Sequence, residues 1–280
     1  MSYKTILVCL TTTSNAERLT KFAANLARQF DAHLVGLHTL QALNVYPGIG
    51  IPAADNFAAD FKKAQQSEAD KIKMAFESIT ENEDFVSEWR CVEANSDSAA
   101  DRLVEHARCA DLIVMAQPDE ENDRPDQTTV QREVIEKSGR PVLVLPKYGE
   151  FEKIGTNTLV GWSATKEATR AVHDAIPIMA NSKSANIFWV SKSKSKDTYL
   201  AHSAREIAVV LDRNHVKANV CNRPYTGLPI GDEILNEAAD TGADLIVSGA
   251  YGHSRMYDFM IGATTPHLMK HMTVPILFSC

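Results

Sequence analysis

The chain has 280 residues, 44% of them hydrophobic, and a formal net charge of −7 from 36 acidic and 29 basic side chains. That length allows two cores, since domains usually hold roughly 100–200 residues, and an acidic balance without any Lys/Arg-rich block omits the electrostatic footprint of a nucleic-acid binder. Five cysteines, odd in number and without a Cys-x-x-Cys pair, argue against a disulfide framework or a zinc finger and read as reduced, mostly buried thiols.

In chain order, KTILVCL opens with an apolar strand over 6–10, followed by a Ser/Thr-rich turn and the amphipathic helix of SNAERLTKFAANLARQF. A second strand is expected over 33–40, then an insert whose Pro/Gly-rich opening NVYPGIGIP reads as a loop and whose residues 56–80 read as a long helix. Strands over 85–92, 112–116 and 142–145 complete the first half, separated by helical patterns such as AADRLVEHARC. After PKYGEFEKIG the order recurs, with strands expected over 158–162, 186–190, 216–220, 245–248 and 276–278. Short Val/Ile/Leu runs without polar alternation are how strands buried on both faces of a parallel sheet read.

The recurrence is a duplication. ADLIVMAQ, from Ala110, returns as ADLIVSGA from Ala243, each after a helical stretch and each before a second helix and a further apolar segment, GRPVLVLP or TVPILFS. The expected fold is therefore α/β: two tandem, doubly wound, five-stranded parallel-sheet domains of Rossmann-like type, residues 1–148 and 155–280. Right-handed crossovers place helices on both faces and gather the ligand crevice at the carboxyl ends of the strands.

The segment GAYGHSRMYDFMIGATTPHLMKHM falls at that edge in the second half. Gly249 and Gly252 follow the fourth strand and Gly262 precedes a helix expected to start at 264–266, a geometry suited to phosphate: glycine admits positive φ and close backbone approach, and the free N–H groups of a helix N-terminus attract anions. Thr264 and Thr265 could cap that helix or donate hydroxyls, and Pro266 suits its first turn. His253 and Arg255 are candidate donors to the phosphates. A metal reading of His253, His267 and His271 has no Cys or carboxylate nearby to complete a ligand set. SKSKSKD, from Ser191, reads as a mobile basic loop, and GLPI, from Gly227, borders the crevice. In the first half Ala116 and Asp119 replace the two leading glycines, and Asp119, Glu120, Glu121, Asp123 and Asp126 would repel a polyphosphate.

The spacing G-x-x-G, nine residues, G, then Thr two and three positions on, after DLIV and before a VP strand, resembles the nucleotide loop of the universal stress protein family, and the resemblance covers essentially the whole chain as two domains. It implies a fold like that of the adenine nucleotide alpha hydrolases, binding of ATP or AMP with magnesium as an optional companion, and pairing through the last strand, which a tandem chain satisfies as an internal pseudo-dimer. Carried over residue by residue, it puts phosphate contacts on Gly252, Gly262, Ala263 and Thr264, the ribose side on Gly249, and base contacts at Val190. Trp189 beside it is either core or a stacking platform. This sequence departs from the family pattern at Ala263, where Ser is common, and at Ser163 and Thr11, where Asp ends the first strand.

No P-loop, no G-x-S-x-G elbow and no paired carboxylates accompany the loop, so the expected activity is a stress-response or signalling module with at most weak ATPase activity. The alternatives are a nucleotide-independent interaction scaffold or a slow ATP hydrolase. The expected partners are an adenine nucleotide, an unidentified protein and a second copy of the chain through the long first-half helix. No charged leader opens the sequence and no apolar run approaches ~18 residues, so no membrane partner is expected and the cytoplasm is the expected compartment.

Overall fold

The apolar runs form strands buried nearly along their whole length, as in β1 (Thr5–Cys9), β4 (Leu112–Ala116), β5 (Val142–Leu145), β9 (Leu245–Gly249) and β10 (Ile276–Ser279). The structure is a computed structural model and describes residues 2–42, 54–94, 98–119, 121, 125–180, 182–191, 194–252 and 264–280. The chain divides into two compact units, one of Lys4–Ser138 and the other of Met1–Tyr3 with Gly139–Cys280.

The first unit alternates β1, α1 (Thr13–Phe30), β2 (His33–Leu40), α2 (Ala54–Thr80), β3 (Ser87–Glu93), α3 (Ala99–Ala107), β4 and α4 (Gln127–Lys137). Its strands are all parallel in the order β3-β2-β1-β4. The long helix expected over 56–80 is α2, and its buried positions Ala69, Ile72, Phe76 and Thr80 recur at helical spacing. Gly36 of β2 makes room for it: a Cβ there would lie 2.7 Å from the Phe76 ring, which also packs on Trp89 of β3 at 5.7 Å between centroids.

The second unit contains β5, β6 (Asn157–Gly161), α5 (Lys166–Met179), β7 (Ser184–Ser191), α6 (Lys194–Arg213), β8 (Ala218–Pro224), α7 (Ile230–Thr241), β9, α8 (Thr264–His271) and β10. The order is β5-β10-β9-β6-β7-β8, parallel except for β5, which runs antiparallel to β10 with Val144 opposite Ile276. The last strands of the two halves thus pair, and β5 groups with the second unit although its sequence belongs to the first repeat. From β6 the chain winds outward to β7 and β8, then returns to lay β9 on the other side of β6. That reversal is the topological switch point, where a doubly wound sheet opens its ligand crevice.

Three expectations shift. The third strands begin two residues later than read and run on to Glu93 and Pro224, because β3 and β8 are outer strands with mixed exposure and their apolar runs do not mark their ends. SKSKSKD is not simply a loop, since α6 starts at Lys194. The thiols are not mostly buried: Cys9 is, Cys91 and Cys109 are exposed, and Cys221 and Cys280 lie between. Cys91 sits on the partly exposed β3 and Cys109 in the turn after α3.

Burial pushes the Cys9 thiol from 9.0 up to about 12 by withdrawing its thiolate from water. The folded state therefore keeps a proton that the unfolded chain releases, so stability is intact below pH 9 and falls as pH rises toward 12. At pH 8 an alkylating reagent should modify Cys91 and Cys109 in the native protein and Cys9 only after denaturation, as read by peptide mass mapping; native labelling of Cys9 would contradict its burial.

Candidate functional site

A cavity of about 320 Å³ opens at the switch point, within the usual range of small-ligand pockets. The ends of β6 and β9 supply Gly161, Trp162, Ser163, Ser248 and Gly249 to its wall. The end of β7 contributes Phe188, Trp189 and Val190, and α7 contributes Ile230 and Ile234. The first turns of two helices close it, Thr165 to Glu167 at α5 and Thr264 and Thr265 at α8, with Tyr251 and Gly252 between strand and helix.

Six residues expected from sequence therefore converge: Ser163, Val190, Gly249, Gly252, Thr264 and Thr265. His253, Gly262, Ala263 and Arg255 lie outside the described residues. Trp189 is 6% exposed, a core residue that also forms part of the wall. Ile230 brings the end of GLPI to the same crevice.

Of the two leading glycines, Gly249 is needed for close approach, and neither serves a left-handed backbone. Neither is among the positive-φ residues; the left-handed positions at this rim are Tyr251, φ 49°, and Ala164, φ 54°. A Cβ on Gly249 would lie 2.5 Å from the Ala168 amide nitrogen and 2.7 Å from the Glu167 carbonyl carbon, so β9 runs hard against the first turn of α5. A Cβ on Gly252 would lie 2.9 Å from Glu167 Oε2.

The polar groups divide between holding the walls and facing the cavity. Thr165 caps α5 by accepting from the Ala168 N–H at 3.3 Å, which leaves the earlier amides of the turn without intrahelical partners. Its hydroxyl also meets Ser163 Oγ at 3.1 Å. Thr265 Oγ1 accepts from the Tyr251 N–H at 3.3 Å, tying the start of the glycine segment to α8. Two helix N-termini, each with favourable dipole ends and free N–H donors, thus border one cavity. Trp162 donates from Nε1 to Ser203 Oγ at 3.0 Å, which fixes its indole between the cavity and α6.

Sequence reading missed the α5 turn. Its signal was a Thr cap three residues before Ala168, just past the first strand, but Glu167 reaches the site only because Gly249 lets the strand and helix touch. His267 lies on the same helix as Thr264 and bonds Asp232 of α7 through Nε2 at 2.7 Å, and its ring centroid lies 4.5 Å from that of His271 with the planes tilted by 39°. Among the described residues no group of three His, Cys, Asp or Glu is arranged to hold a metal.

The first unit is built differently at the corresponding place. Gln131 of α4, fully buried, donates from Nε2 to the Ala116 carbonyl at 2.9 Å, tying the helix to the strand end. Asp126 accepts from Gln41 at 3.1 Å and Asp119 from the Glu121 N–H at 3.2 Å, while Glu120 and Asp123 lie outside the described residues. Thr11 is buried at the end of β1.

A doubly wound α/β sheet with a crevice at its switch point, flanked by helix N-termini, defines a Rossmann-like fold class. The universal stress protein family matches residues 2–146 and 157–279, and the chain belongs to that family. It is similar, at 16% identity and a TM-score of 0.66 over 98% of its length, to 95% of a universal stress protein from Archaeoglobus fulgidus DSM 4304. It is similar, at 14% identity and a TM-score of 0.58 over 99% of its length, to 92% of a functionally unknown protein from Pseudomonas aeruginosa PAO1. These likenesses show the fold. No curated protein sequence matches the chain.

Two substitutions at the rim should move stability in opposite directions. Gly249→Ala drives a Cβ into backbone and should cost about 1–3 kcal/mol. Ala164→Gly relieves a left-handed alanine worth about 1–2 kcal/mol against a glycine entropy cost of about 0.5–1 kcal/mol, a net gain of up to about 1.5 kcal/mol. Urea unfolding of the two variants beside the parent protein measures both signs.

Proposed function

We propose that the second half binds one adenine nucleotide, ATP or AMP, in the crevice between the ends of β6 and β9, and that the protein serves as a stress-linked binding or signalling module with little or no catalysis. The observation that carries this reading is the convergence of six sequence-expected residues with two helix N-termini on one cavity. The apolar side formed by Phe188, Val190, Ile230 and Ile234 suits a flat base, and the helix ends suit phosphate.

The two copies, 1–148 and 155–280, divide the work. Gln131 ties α4 to the end of β4 in the first, and the acidic segment beyond disfavours phosphate, so the first copy contributes structure and a surface for a protein partner or a second chain. Among the described residues no helix is long and apolar enough to cross a membrane, and the cytoplasm is the compartment this reading assigns. Among the described lining residues no nucleophile is hydrogen-bonded to a His or carboxylate base, in keeping with the slow hydrolysis of this reading.

Native mass spectrometry with added ATP or AMP tests the stoichiometry: one nucleotide per chain is expected, two would contradict the division between copies, and none would favour the nucleotide-independent scaffold. Tryptophan emission should shift on the same titration, because Trp162 and Trp189, two of the three tryptophans, line the cavity.

A further inference from the structure

One wall residue does not fit a simple anion cradle. Glu167 is 5% exposed, lines the cavity and accepts no hydrogen bond among the described residues. Its ion pair is with Lys166 Nζ at 3.4 Å, on a side chain 88% exposed, where water and salt screen the charge. Other carboxylates of the same unit are held by their neighbours. The 2% exposed Glu233 accepts from the Thr226 N–H at 3.1 Å and from its hydroxyl at 2.5 Å, Glu237 pairs with Arg223, and Asp244 accepts from the backbone N–H groups of Gly155, Thr156 and Asn157. Buried carboxylates are ordinarily satisfied in this way. Glu167 is left with its charge facing the space a ligand would fill.

Its place makes the charge consequential. Oε2 lies 2.9 Å from where a Cβ of Gly252 would be, beside the backbone expected to receive phosphate. Two anions close together repel, the more so where protein displaces water from one of them as it does from Glu167, and among the described lining residues Lys166 is the one cation. Ribose hydroxyls could donate to the carboxylate but would leave both negative charges uncompensated.

On the reading that the cavity takes a nucleotide, we propose that Glu167 makes polyphosphate binding depend on a divalent cation shared between its carboxylate and the phosphates. Mg²⁺ fits the donor set: it takes oxygen ligands, keeps several waters, and is commonly held by one or two carboxylates together with substrate phosphates and not by an all-protein cage. The hydroxyls of Ser163 and Thr264 line the same cavity and are also hard oxygen donors. A single carboxylate is then the chain's share of the site, and the ligand brings the rest.

Isothermal titration of the full chain with ATP, in Mg²⁺ and in excess EDTA, tests this on the parent protein and on Glu167→Gln, with adenosine titrated as a phosphate-free control. The parent protein should bind ATP at least tenfold more weakly in EDTA, whereas Glu167→Gln should bind ATP in EDTA more tightly than the parent does and lose most of the Mg²⁺ effect. Adenosine should bind both proteins equally, with or without Mg²⁺. Glu167→Asp, which keeps the charge, should retain the Mg²⁺ effect and serves where Glu167→Gln does not fold. If adenosine and ATP bind but EDTA changes nothing in the parent, or the Mg²⁺ effect survives undiminished in Glu167→Gln, the proposal fails and the nucleotide reading stands. If neither ligand binds the parent protein, both fail together.

Discussion

The second unit is organised by the contact between the backbone at Gly249 and the first turn of α5. With no Cβ at 249, the end of β9 can sit against the Glu167–Ala168 peptide, and a methyl group there would come within 2.5 Å of the Ala168 nitrogen. That approach draws the end of β9 against the first turn of α5 at the cavity wall. The first turns of α5 and α8 line the same cavity, and the Glu167 carboxylate lies next to Gly252. The left-handed backbone at Tyr251 and Ala164 turns the chain away on either side.

The two halves show how one topology reaches different ends through a few side chains. Both carry a buried strand ending at the sheet edge followed by a helix, yet Gly249 in the second half is answered in the first by Ala116, whose carbonyl is taken by Gln131. A long polar side chain reaching from helix to strand links the two elements directly, with its Nε2–H satisfied. In the second half the helix is linked to the strand's continuation through the short Thr265 hydroxyl, and a cavity stands beside it. The two halves differ at the strand ends while the alternation of strand and helix is retained, and on the proposed division of labour their functions differ there too, as where sites are grafted onto folds.

The fold was legible because buried parallel strands announce themselves as uninterrupted Val/Ile/Leu runs, and β1, β4, β5, β9 and β10 are nearly or fully buried. The outer strands β3 and β8 were misplaced at their ends because one-sided pairing leaves mixed burial and no clear pattern. The strand-end residues Ser163, Val190 and Gly249 could be found for the same reason the strands could. Glu167 could not: it lies 82 residues before Gly249, and only tertiary contact brings the two together. At Gly249 the absent Cβ serves close approach and not positive φ, a distinction that composition cannot make.

A crystal structure of the chain grown with AMP addresses the central claim most directly. The account predicts nucleotide density in the second unit only, with the phosphate within hydrogen-bond reach of first-turn amides of α5 or α8 and the base against Phe188 and Val190. Density at the ends of β1 and β4 instead, or a crevice by Gly249 that stays empty at saturating AMP, would contradict it.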